Sequence, residues 1–428
     1  MRNIAATPSD RRRILIIVEN LPVPFDRRVW SEATTLCEAG YTVSVICPKG
    51  RGYEKSTETI DGIHIYRHSL LLEARGASAY FLEYSAALFW EFLLSFKVAW
   101  QHGFDVIHAC NPPDLIFLVG IFYKVFAGKS FVFDHHDVNP EFYEAKFGRR
   151  GFFWKMLLAA ERLTFKTADI SIATNESYRK IAIQRGGMSP ERAFVVRSGP
   201  DLDRVKICPP DLRWRKGRPY LVGYLGVISH TEGIDLLLEA IHHVVRVRGR
   251  SDIHFVIAGA GPEWQEMVRL SKSMAVAEYV TFAGRVDDPT LFSILSTSDV
   301  CVNPDRVTRF NDISTMNKIM EYMALGKPIV QFDVTEGKLS AEDASLYAKA
   351  NDPRDFGEKM LQLIDAPELR AQMGEYGRLR VREVLAWPHE QPKLLKAYDA
   401  LFEMRAKRRS FVRHLREFVL HQPDISSR

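Results

Sequence analysis

Two series of short apolar runs constrain the fold of this 428-residue chain more than any other feature. Runs rich in Val, Ile and Phe recur every few tens of residues with helical patterns between them, which is typical of βαβ units and a mostly parallel sheet. The first series comprises residues 14–18, 42–47, 63–66, 106–109, 131–134, 170–174 and 194–197, and the second comprises 221–225, 254–258, 280–283, 300–303 and 329–332. We therefore expect two doubly wound α/β domains.

A stretch rich in proline and charge separates the two series and predicts the domain organisation. We expect an N-terminal domain at 1–198, a linker at 199–219, a C-terminal domain at 220–384 and C-terminal helices at 385–428, which can cross back to the first domain. Ligands of open α/β sheets bind beyond the carboxyl ends of the strands, so the residues that follow each strand are the candidates for a functional site.

The composition and the turn sequences exclude several classes of function. The five cysteines show no CxxC spacing, which favours reduced thiols in a cytoplasmic protein. A formal net charge of +5 gives no argument for nucleic-acid binding, and no uncharged apolar run reaches the roughly 18 residues of a membrane span. Gly259-x-Gly261 is followed by Trp264 where a dinucleotide fingerprint has its third glycine, so an NAD enzyme is not expected.

The run Asp134-His135-His136-Asp137 contains residue types that bind metals, but in consecutive positions. Alternation along a strand points neighbouring side chains to opposite faces, which prevents these four from converging. We expect no metal and no other cofactor.

Residues 311–328 form the most informative stretch. Strong helix formers begin at Thr315, Ser314 is a candidate N-cap, and Gly326 with Pro328 predicts the helix end. The N–H groups at the start of such a helix form a site for an anion such as a diphosphate. These N–H groups belong to Ser314, Thr315, Met316 and Asn317.

Lys318 and Glu321 are three residues apart and therefore neighbours on one face of this helix. A cation for a phosphate and a carboxylate for a vicinal diol, side by side, would suit a nucleotide. An i,i+3 ion pair on the surface of a capped helix is the alternative interpretation.

The segment from Glu321 to Val330 reads Glu-Tyr-Met-Ala-x-Gly-Lys-Pro-Ile-Val. It resembles the C-terminal core motif of family 4 glycosyltransferases, and other segments resemble a bacterial polysaccharide branch of that family. Further segments fall in the order and spacing of that branch: Pro24-x-Asp26-Arg27-Arg28-Val29 with Glu32, Ala39-Gly40-Tyr41-x-Val43, Asp105-Val106-Ile107-His108-Ala109, Asn111-Pro112-Pro113-Asp114, Asp134-x-His136-Asp137 with Pro140-Glu141, Val196-x-x-Gly199-Pro200-Asp201 and Gly223-Tyr224-Leu225-Gly226.

The resemblance implies the GT-B fold, two Rossmann-like domains facing each other across a cleft, and a retaining transfer from a nucleotide sugar. Glu321 would bind the ribose hydroxyls, the N–H groups of residues 314–317 the diphosphate, and His136 would lie near the donor sugar. The backbone around Gly226 and Val227 would approach the phosphates. Gly259 and Gly261 would line the nucleotide, and the N-terminal domain would hold the acceptor. The acceptor candidates are Asp26, Arg27, Asn111, Asp114 and Asp137.

The sequence departs from the family pattern at two places. The first glutamate of the Glu-x7-Glu pair falls at Ile313, so Asp312 is the nearest candidate for its role. The Arg and Lys that many members carry after the first strand of the C-terminal domain are replaced by Val227 and Glu232. The candidates to neutralise a diphosphate are therefore Lys318, Arg285, Arg306 and Arg309.

Two regions bear on the acceptor. Residues 80–100 carry eight aromatic side chains, consistent with a broad core helix or with a surface for a membrane or a lipid-linked acceptor. Near the C-terminus Met404, Phe411, Leu415 and Phe418 form a stripe at helical spacing. Another face of that helix carries Arg405, Arg409, Arg413 and Arg416. A basic amphipathic helix of this kind can lie on an anionic bilayer, and docking on its own domain is the alternative.

We predict a cytoplasmic glycosyltransferase, peripheral at the inner face of the plasma membrane, that uses a UDP- or GDP-sugar. It would extend a cell-surface polysaccharide on a lipid-linked glycan acceptor. A nucleotide-sugar epimerase of the same fold and a catalytically silent, membrane-bound partner of another transferase are the alternatives.

Overall fold

The computed structural model describes residues 12–69 and 77–420, without the side chains of residues 77–84, 409 and 411–420. The chain forms two compact units. The first comprises the chain up to Asn139, Lys155–Val196 and the chain from Gln391, and the second comprises Pro140–Trp154 and Arg197–Glu390. The division therefore differs from a contiguous first domain at 1–198, because the segment Pro140–Trp154 belongs to the second unit.

The first unit is built on an eight-stranded sheet in the order β3-β4-β2-β1-β5-β6-β7-β8. Neighbouring strands are parallel except for the antiparallel pair β3 and β4. The strands are β1 (Arg13–Ile17), β2 (Thr42–Pro48), β3 (Thr57–Ile60), β4 (Ile63–His68), β5 (Val106–Cys110), β6 (Ser130–His135), β7 (Ile170–Ala173) and β8 (Ala193–Val195). Residues such as Leu15, Ile107 and Phe133 bury the sheet against its helices.

The helices of this part of the chain follow the predicted alternation with strands. They are α1 (Arg27–Glu38), α2 (Ala77–Gln101), α3 (Phe117–Ala127), α4 (Asn139–Phe147), α5 (Phe152–Thr167) and α6 (Glu176–Gln184). Side chains cap two of them: Asp26 accepts a hydrogen bond from the backbone N–H of Val29, and Asn175 accepts one from that of Tyr178. Such caps satisfy N–H groups that have no acceptor within the helix.

The second unit contains a six-stranded, fully parallel sheet in the order β11-β10-β9-β12-β13-β14. Its strands are β9 (Tyr220–Leu225), β10 (Ile253–Ala258), β11 (Val280–Gly284), β12 (Val300–Asn303), β13 (Ile329–Phe332) and β14 (Ser345–Ala348). The helices are α7 (Ile234–His242), α8 (Trp264–Ser273), α9 (Asp288–Thr297), α10 (Arg309–Ile313), α11 (Asn317–Ala324), α12 (Thr335–Ala341), α13 (Pro353–Ile364) and α14 (Pro367–Arg380). The last helix, α15 (Gln391–Leu420), belongs to the first unit.

The two sheets, one mostly parallel and one fully parallel, confirm the predicted fold class, and a strand occupies each predicted position. The sequence patterns missed β3 and β14, which lie at the edges of the sheets. The sequence of β3, Thr-Glu-Thr-Ile, is largely polar and exposed, so it lacks the apolar run that identifies a buried strand. Among the described residues, no helix is both long enough and apolar enough to cross a bilayer.

A glycine contact joins the ends of β9 and β10. Gly259 has a φ of +141°, and a Cβ atom there would overlap the carbonyl oxygen of Gly226. The backbone of the same turn is held by the N–H of Ile228, which donates to Ala260 at 3.1 Å. The two turns therefore fit together because residue 259 has no side chain.

We expect the Gly259→Ala substitution to lower the free energy of unfolding by about 3 kcal/mol, because overpacking adds to an unfavourable backbone conformation. Chemical denaturation followed by circular dichroism measures the loss. Gly217→Ala is the matched control, since Gly217 also has a positive φ but open space at its Cβ position. If both variants lost no more than about 1 kcal/mol of unfolding free energy, the overlap with the Gly226 carbonyl oxygen would not be what destabilises Gly259→Ala.

Candidate functional site

The loop before α11 differs from the predicted helix start. Helix α11 begins at Asn317, its N-cap residue Met316 makes no side-chain cap bond, and Ser314 is extended. The Ser314 hydroxyl instead donates to the carbonyl of Phe310 at 2.6 Å, at the end of α10. The prediction that Ser314 caps a helix starting at Thr315 is therefore wrong, because the preceding residues form a short helix of their own. Of the four predicted N–H groups, only that of Asn317 belongs to the helix.

Lys318 lies in a buried cluster with two carboxylates. Its ammonium group contacts Glu232 and lies 3.0 Å from Asp305 Oδ1, and the hydroxyl of Tyr224 donates to Glu232 at 2.9 Å. Burial favours the neutral lysine, but Asp305 and Glu232 outweigh it and raise the pKa of Lys318 above its ordinary value. The charge predicted to face a diphosphate is thus already compensated by two acidic side chains.

The same cluster perturbs both carboxylates. Burial raises the pKa of Asp305 to about 7, with Lys318 opposing the shift and Glu232 adding to it. Burial acts in the same direction on Glu232, but Lys318 prevails and lowers the pKa of that residue. Glu232, which replaces the cation usual in the family pattern, therefore acts as the main counterion of Lys318.

Glu321 does not share the ionic partners of Lys318. Its carboxylate is nearly buried and forms an ion pair with Arg204, which also binds Asp288 Oδ2 at 3.0 Å. The alternative of a surface ion pair between Lys318 and Glu321 is wrong, because each side chain is buried with partners from other segments. Arg204 was not among the sequence candidates, since it lies in the predicted linker, where no local pattern indicates its partner.

The other predicted charges of this unit also have partners. Asp312 Oδ1 accepts a hydrogen bond from the N–H of Thr335 at 2.8 Å, at the start of α12. Arg306 forms an ion pair with Asp235, and exposed Arg309 lies 3.6 Å from Glu141. Arg285 is exposed directly after β11.

The turn after β9 lies beside the Lys318 cluster. A Cβ atom at Gly226 would lie 3.0 Å from the Lys318 ammonium, whereas the Val227 side chain is exposed. A Cβ atom at Gly261 would overlap the backbone of Ile228. Gly259 and Gly261 are thus required by the packing of two turns.

His136 belongs to a second cluster, in the first unit. Its Nε2 atom lies 2.5 Å from Asp134 Oδ2, and Arg28 donates to Asp134 Oδ1 at 2.9 Å. Burial alone would raise the pKa of Asp134, but Arg28, His136 and His108 hold it well below its ordinary value. Glu32 is buried beside Arg28, and its pKa is raised well above the ordinary value, mainly by burial. The cluster therefore contains one ionised carboxylate, Asp134, at its centre.

The expectation that strand alternation separates Asp134–Asp137 is correct for His135, which lies near Glu161 rather than Asp134. Asp134 and His136 do converge, and both come within metal-binding distance of Glu32. Arg28 lies in the same cluster, 2.9 Å from both Glu32 and Asp134. The Arg28 guanidinium thus places a positive charge beside these side chains.

The acceptor candidates are mainly structural in their contacts. Asn111 donates to Asp114 and accepts from the backbone N–H groups of His136 and Asp137, so its side chain joins two loops. Asp114 is buried, and burial, with a contribution from Glu161, raises its pKa to about 6. The carboxylate of Asp26 caps α1, while Arg27 is exposed and Asp137 half-buried.

Comparison with known proteins decides the family. A model of the Glycosyltransferase Family 4 domain matches residues 26–204, and a model described as Glycosyl transferases group 1 matches residues 219–366, so that the two together match most of the chain. The chain belongs to the family 4 glycosyltransferases. Each of its two sheets, with the helices packed on it, forms one of the two Rossmann-like domains of the GT-B fold.

The similarity extends to individual proteins of the family and of the fold. The chain is 31% identical to alpha-D-kanosaminyltransferase of Streptomyces kanamyceticus over 170 residues, 39% of this chain and 42% of that protein. Sucrose-phosphate synthase from Thermosynechococcus elongatus matches with a TM-score of 0.77 at 18% identity, covering 92% of this chain and 100% of that one. Anabaena HepE in complex with UDP and glucose matches with a TM-score of 0.70 at 15% identity, covering 91% and 100%. The chain spans about half the length of the curated relatives it matches.

The raised pKa of Asp305 in this family 4 glycosyltransferase predicts a dependence of stability on pH. Between about pH 4 and pH 7 the unfolded chain loses the Asp305 proton and the folded chain keeps it, so the stabilising contribution declines as the pH rises through this window. Relative to Asp305→Asn, the wild-type chain should lose about 1–3 kcal/mol of unfolding free energy between pH 4.5 and pH 8.

Urea titrations of both proteins at several pH values measure this difference. Asp203→Asn, at an exposed position of the same unit, is the control and should follow the wild-type chain at every pH. A wild-type stability that rises relative to Asp305→Asn over the same range would contradict the assignment.

Proposed function

We propose that the chain transfers a sugar, with retention of configuration, from a UDP- or GDP-sugar donor. The observation that carries the proposal is the carboxylate of Glu321 in the family's core motif. It is buried on α11, paired with Arg204, and belongs to a segment that the family resemblance assigns to the ribose. A carboxylate held by a charged partner is a strong acceptor for two vicinal hydroxyl groups.

The diphosphate would lie against the start of α11. The first turn of a helix leaves N–H groups that point out along its axis, where they stabilise an anion. Such fixed donors lower the barrier when negative charge develops on the leaving diphosphate. We propose that the transfer needs no metal. The UDP in the related Anabaena structure supports a nucleotide as the donor component.

Glu321→Ala tests the donor assignment. We expect UDP or GDP to bind about 10- to 100-fold more weakly, because a charge-assisted hydrogen bond contributes on the order of 1.5–3 kcal/mol. Isothermal titration of both diphosphates against the wild-type and variant proteins measures the loss. Arg204 keeps Asp288 as a partner in this variant, so the fold is expected to persist.

Glu336→Ala provides the control, because Glu336 is also buried in the same unit but belongs to α12. It should leave nucleotide affinity unchanged in a folded protein. Equal affinity of the Glu321→Ala and wild-type proteins would exclude Glu321 as the ribose ligand.

We further propose a lipid-linked glycan acceptor in cell-surface polysaccharide synthesis, reached by peripheral binding to the cytoplasmic face of an anionic membrane. Helix α2 supports this through its surface. Only a narrow stripe that includes Ala87, Glu91 and Val98 is buried, whereas Trp100 is 86% exposed, so the described part of α2 is not a broad core helix. The side chains of Tyr80, Phe81 and Tyr84 lie outside the described residues.

Helix α3 continues the same apolar surface. Phe122 packs against Phe92 and Phe96 of α2 with ring centroids 5.0 and 5.7 Å apart, and Phe126 is 76% exposed. Exposed aromatic clusters of this kind mark docking surfaces.

The basic segment of α15 begins beside this surface. Arg405 donates to the carbonyls of Asp105 and Gly128, the latter directly after α3, and Lys407 and Arg408 are exposed. Basic groups beside an apolar surface favour an anionic bilayer. The side chains of Phe411, Leu415, Phe418, Arg409, Arg413 and Arg416 lie outside the described residues.

We expect the double variant Trp100→Ser/Phe126→Ser to partition at least tenfold more weakly into vesicles of phosphatidylglycerol and phosphatidylcholine. Burial of a large apolar side chain contributes about 1.5–3 kcal/mol. Co-sedimentation at low ionic strength measures the partition coefficient. Leu212→Ser/Val247→Ser, at exposed apolar positions of the second unit, should bind vesicles like the wild-type protein. Equal vesicle binding by all three proteins would contradict the proposal that this apolar surface docks on a membrane.

A catalytically silent partner of another transferase is the second candidate. Two observations favour it: Ile313 replaces a glutamate, and Glu232 with Asp305 neutralises Lys318. Incubation of wild-type protein with a panel of nucleotide sugars and lipid-linked glycans separates the candidates. Release of a nucleoside diphosphate that depends on the acceptor supports the enzyme, and its absence in a protein that binds vesicles supports the silent partner. Conversion of a nucleotide sugar without any acceptor would instead indicate the epimerase.

A further inference from the structure

Helix α5 exposes apolar side chains at helical spacing. Phe152, Met156, Ala159 and Leu163 follow one another at intervals of four, three and four residues, so they form one stripe along the helix. All four are exposed, and Phe152 is 72% exposed. The residues that pack on the sheet, such as Phe165, lie on another face. The apolar stripe of α5 is therefore additional to the stripe that forms the core.

A basic stripe runs beside the apolar stripe. Lys155, Arg162 and Lys166 are seven and four residues apart, which places them on one line along the helix. All three side chains are exposed. Within the described part of the chain, none of the three forms an ion pair with an acidic residue. Their positive charges are therefore available to a ligand.

The exposed charges around α5 all have the same sign. The basic residues of the segment 145–168 are Lys146, Arg149, Arg150, Lys155, Arg162 and Lys166, and all are exposed. The one acidic residue of this segment, Glu161, is buried and pairs with Arg185. The solvent-facing side of the segment is thus basic and apolar.

The end of α5 adjoins the exposed apolar end of α3. The Lys124 ammonium of α3 donates to the carbonyl of Thr167 and to Asp169 Oδ1, both at 2.7 Å. The next residues of α3, Val125 and Phe126, are 68% and 76% exposed. Helix α5 therefore extends the apolar surface of α2 and α3.

Helices α2 and α3 contribute little positive charge to this surface. Lys97 is the single basic residue in the sequence of α2, and Lys124 is the single one in that of α3. Lys124 is moreover paired with Asp169. An anionic ligand that covers the whole surface would therefore meet most of its cations on α5.

We propose that α5 is a membrane-contact helix that selects anionic phospholipids. Its apolar stripe enters the boundary between headgroups and acyl chains, and its basic stripe contacts the headgroup phosphates. This inference rests on the proposed peripheral membrane binding and adds a second contact element to it. Helices α2 and α3 supply apolar area, and α5 supplies the preference for anionic lipid.

The charges of α5 favour a bilayer over a protein as the occupant of this surface. Lysine is depleted in protein interfaces, because burying its charge is costly. A second copy of this chain, bound by the same surface, would place two sets of uncompensated cations face to face. An anionic bilayer instead offers a negative charge to each cation without burying it.

A single acidic substitution tests the apolar stripe. We expect Ala159→Glu to partition at least tenfold more weakly than the wild-type protein into vesicles of phosphatidylglycerol and phosphatidylcholine, since it places a negative charge between the stripe and the bilayer. Glutamate is a good helix former, so the helix should persist. Ala371→Glu, at an exposed position of α14, is the matched control and should bind like the wild-type protein. Co-sedimentation measures the partition coefficients, and circular dichroism checks the fold.

A charge-removal variant tests the preference for anionic lipid. The variant is Lys155→Gln/Arg162→Gln/Lys166→Gln. The control, at exposed positions of α8 and α13 in the second unit, is Arg269→Gln/Lys272→Gln/Arg354→Gln. Both lose the same net charge. We expect the first to bind the anionic vesicles about 10- to 100-fold more weakly at low ionic strength and the control to bind like the wild-type protein. The difference should vanish at about 1 M salt, where screening is strong, and on vesicles of phosphatidylcholine alone.

The outcomes separate this inference from the proposed function. Wild-type binding to anionic vesicles that neither Ala159→Glu nor the charge-removal variant weakens would overturn the role of α5 and leave membrane binding through α2 and α3 intact. No binding of the wild-type protein to either vesicle would overturn both. Sedimentation velocity without lipid tests the second copy. A wild-type dimer that Ala159→Glu dissociates would assign the surface to self-association and overturn the proposal.

Discussion

The pairing of one cation with two carboxylates is the interaction on which both candidate centres depend. Arg28 contacts Glu32 and Asp134, Lys318 contacts Glu232 and Asp305, and Arg204 contacts Glu321 and Asp288. Removing a charge from water costs several kcal/mol, so a buried cation without such partners would destabilise the fold. Each centre is therefore assembled from several segments at once.

This pairing also determines what each centre can offer a ligand. In the Arg28 and Lys318 groups, burial favours the protonated form of one of the two carboxylates: it raises the pKa values of Glu32 and Asp305. In the second unit, Lys318 brings no uncompensated charge to an incoming diphosphate. In the proposed site, the N–H groups of the first turn of α11 would therefore contribute more to binding a diphosphate than the side chain of Lys318 would. In the first unit, the same arrangement holds one ionised carboxylate, Asp134, against two histidines.

The fold was accessible from the sequence because it depends on local patterns. Buried parallel strands are continuous apolar runs, and the patterns therefore located twelve strands but not the polar edge strand β3. The family motifs likewise placed Glu321 and His136 in segments that prove to be buried. Ser314 shows the limit of local patterns. The sequence around it fits a residue that caps the next helix as well as a residue that follows a short helix.

The sequence by itself determined the α/β class, the two sheets, the family and the chemical types of the candidate residues, since these follow from periodicity and from short motifs. Only the tertiary structure decided which charges are paired. Arg204 lies 117 residues from Glu321, and Tyr398 lies 290 residues from His108. No local pattern encodes such contacts, because they arise when strand order brings distant segments together and burial then requires each charge and each polar hydrogen to find a partner.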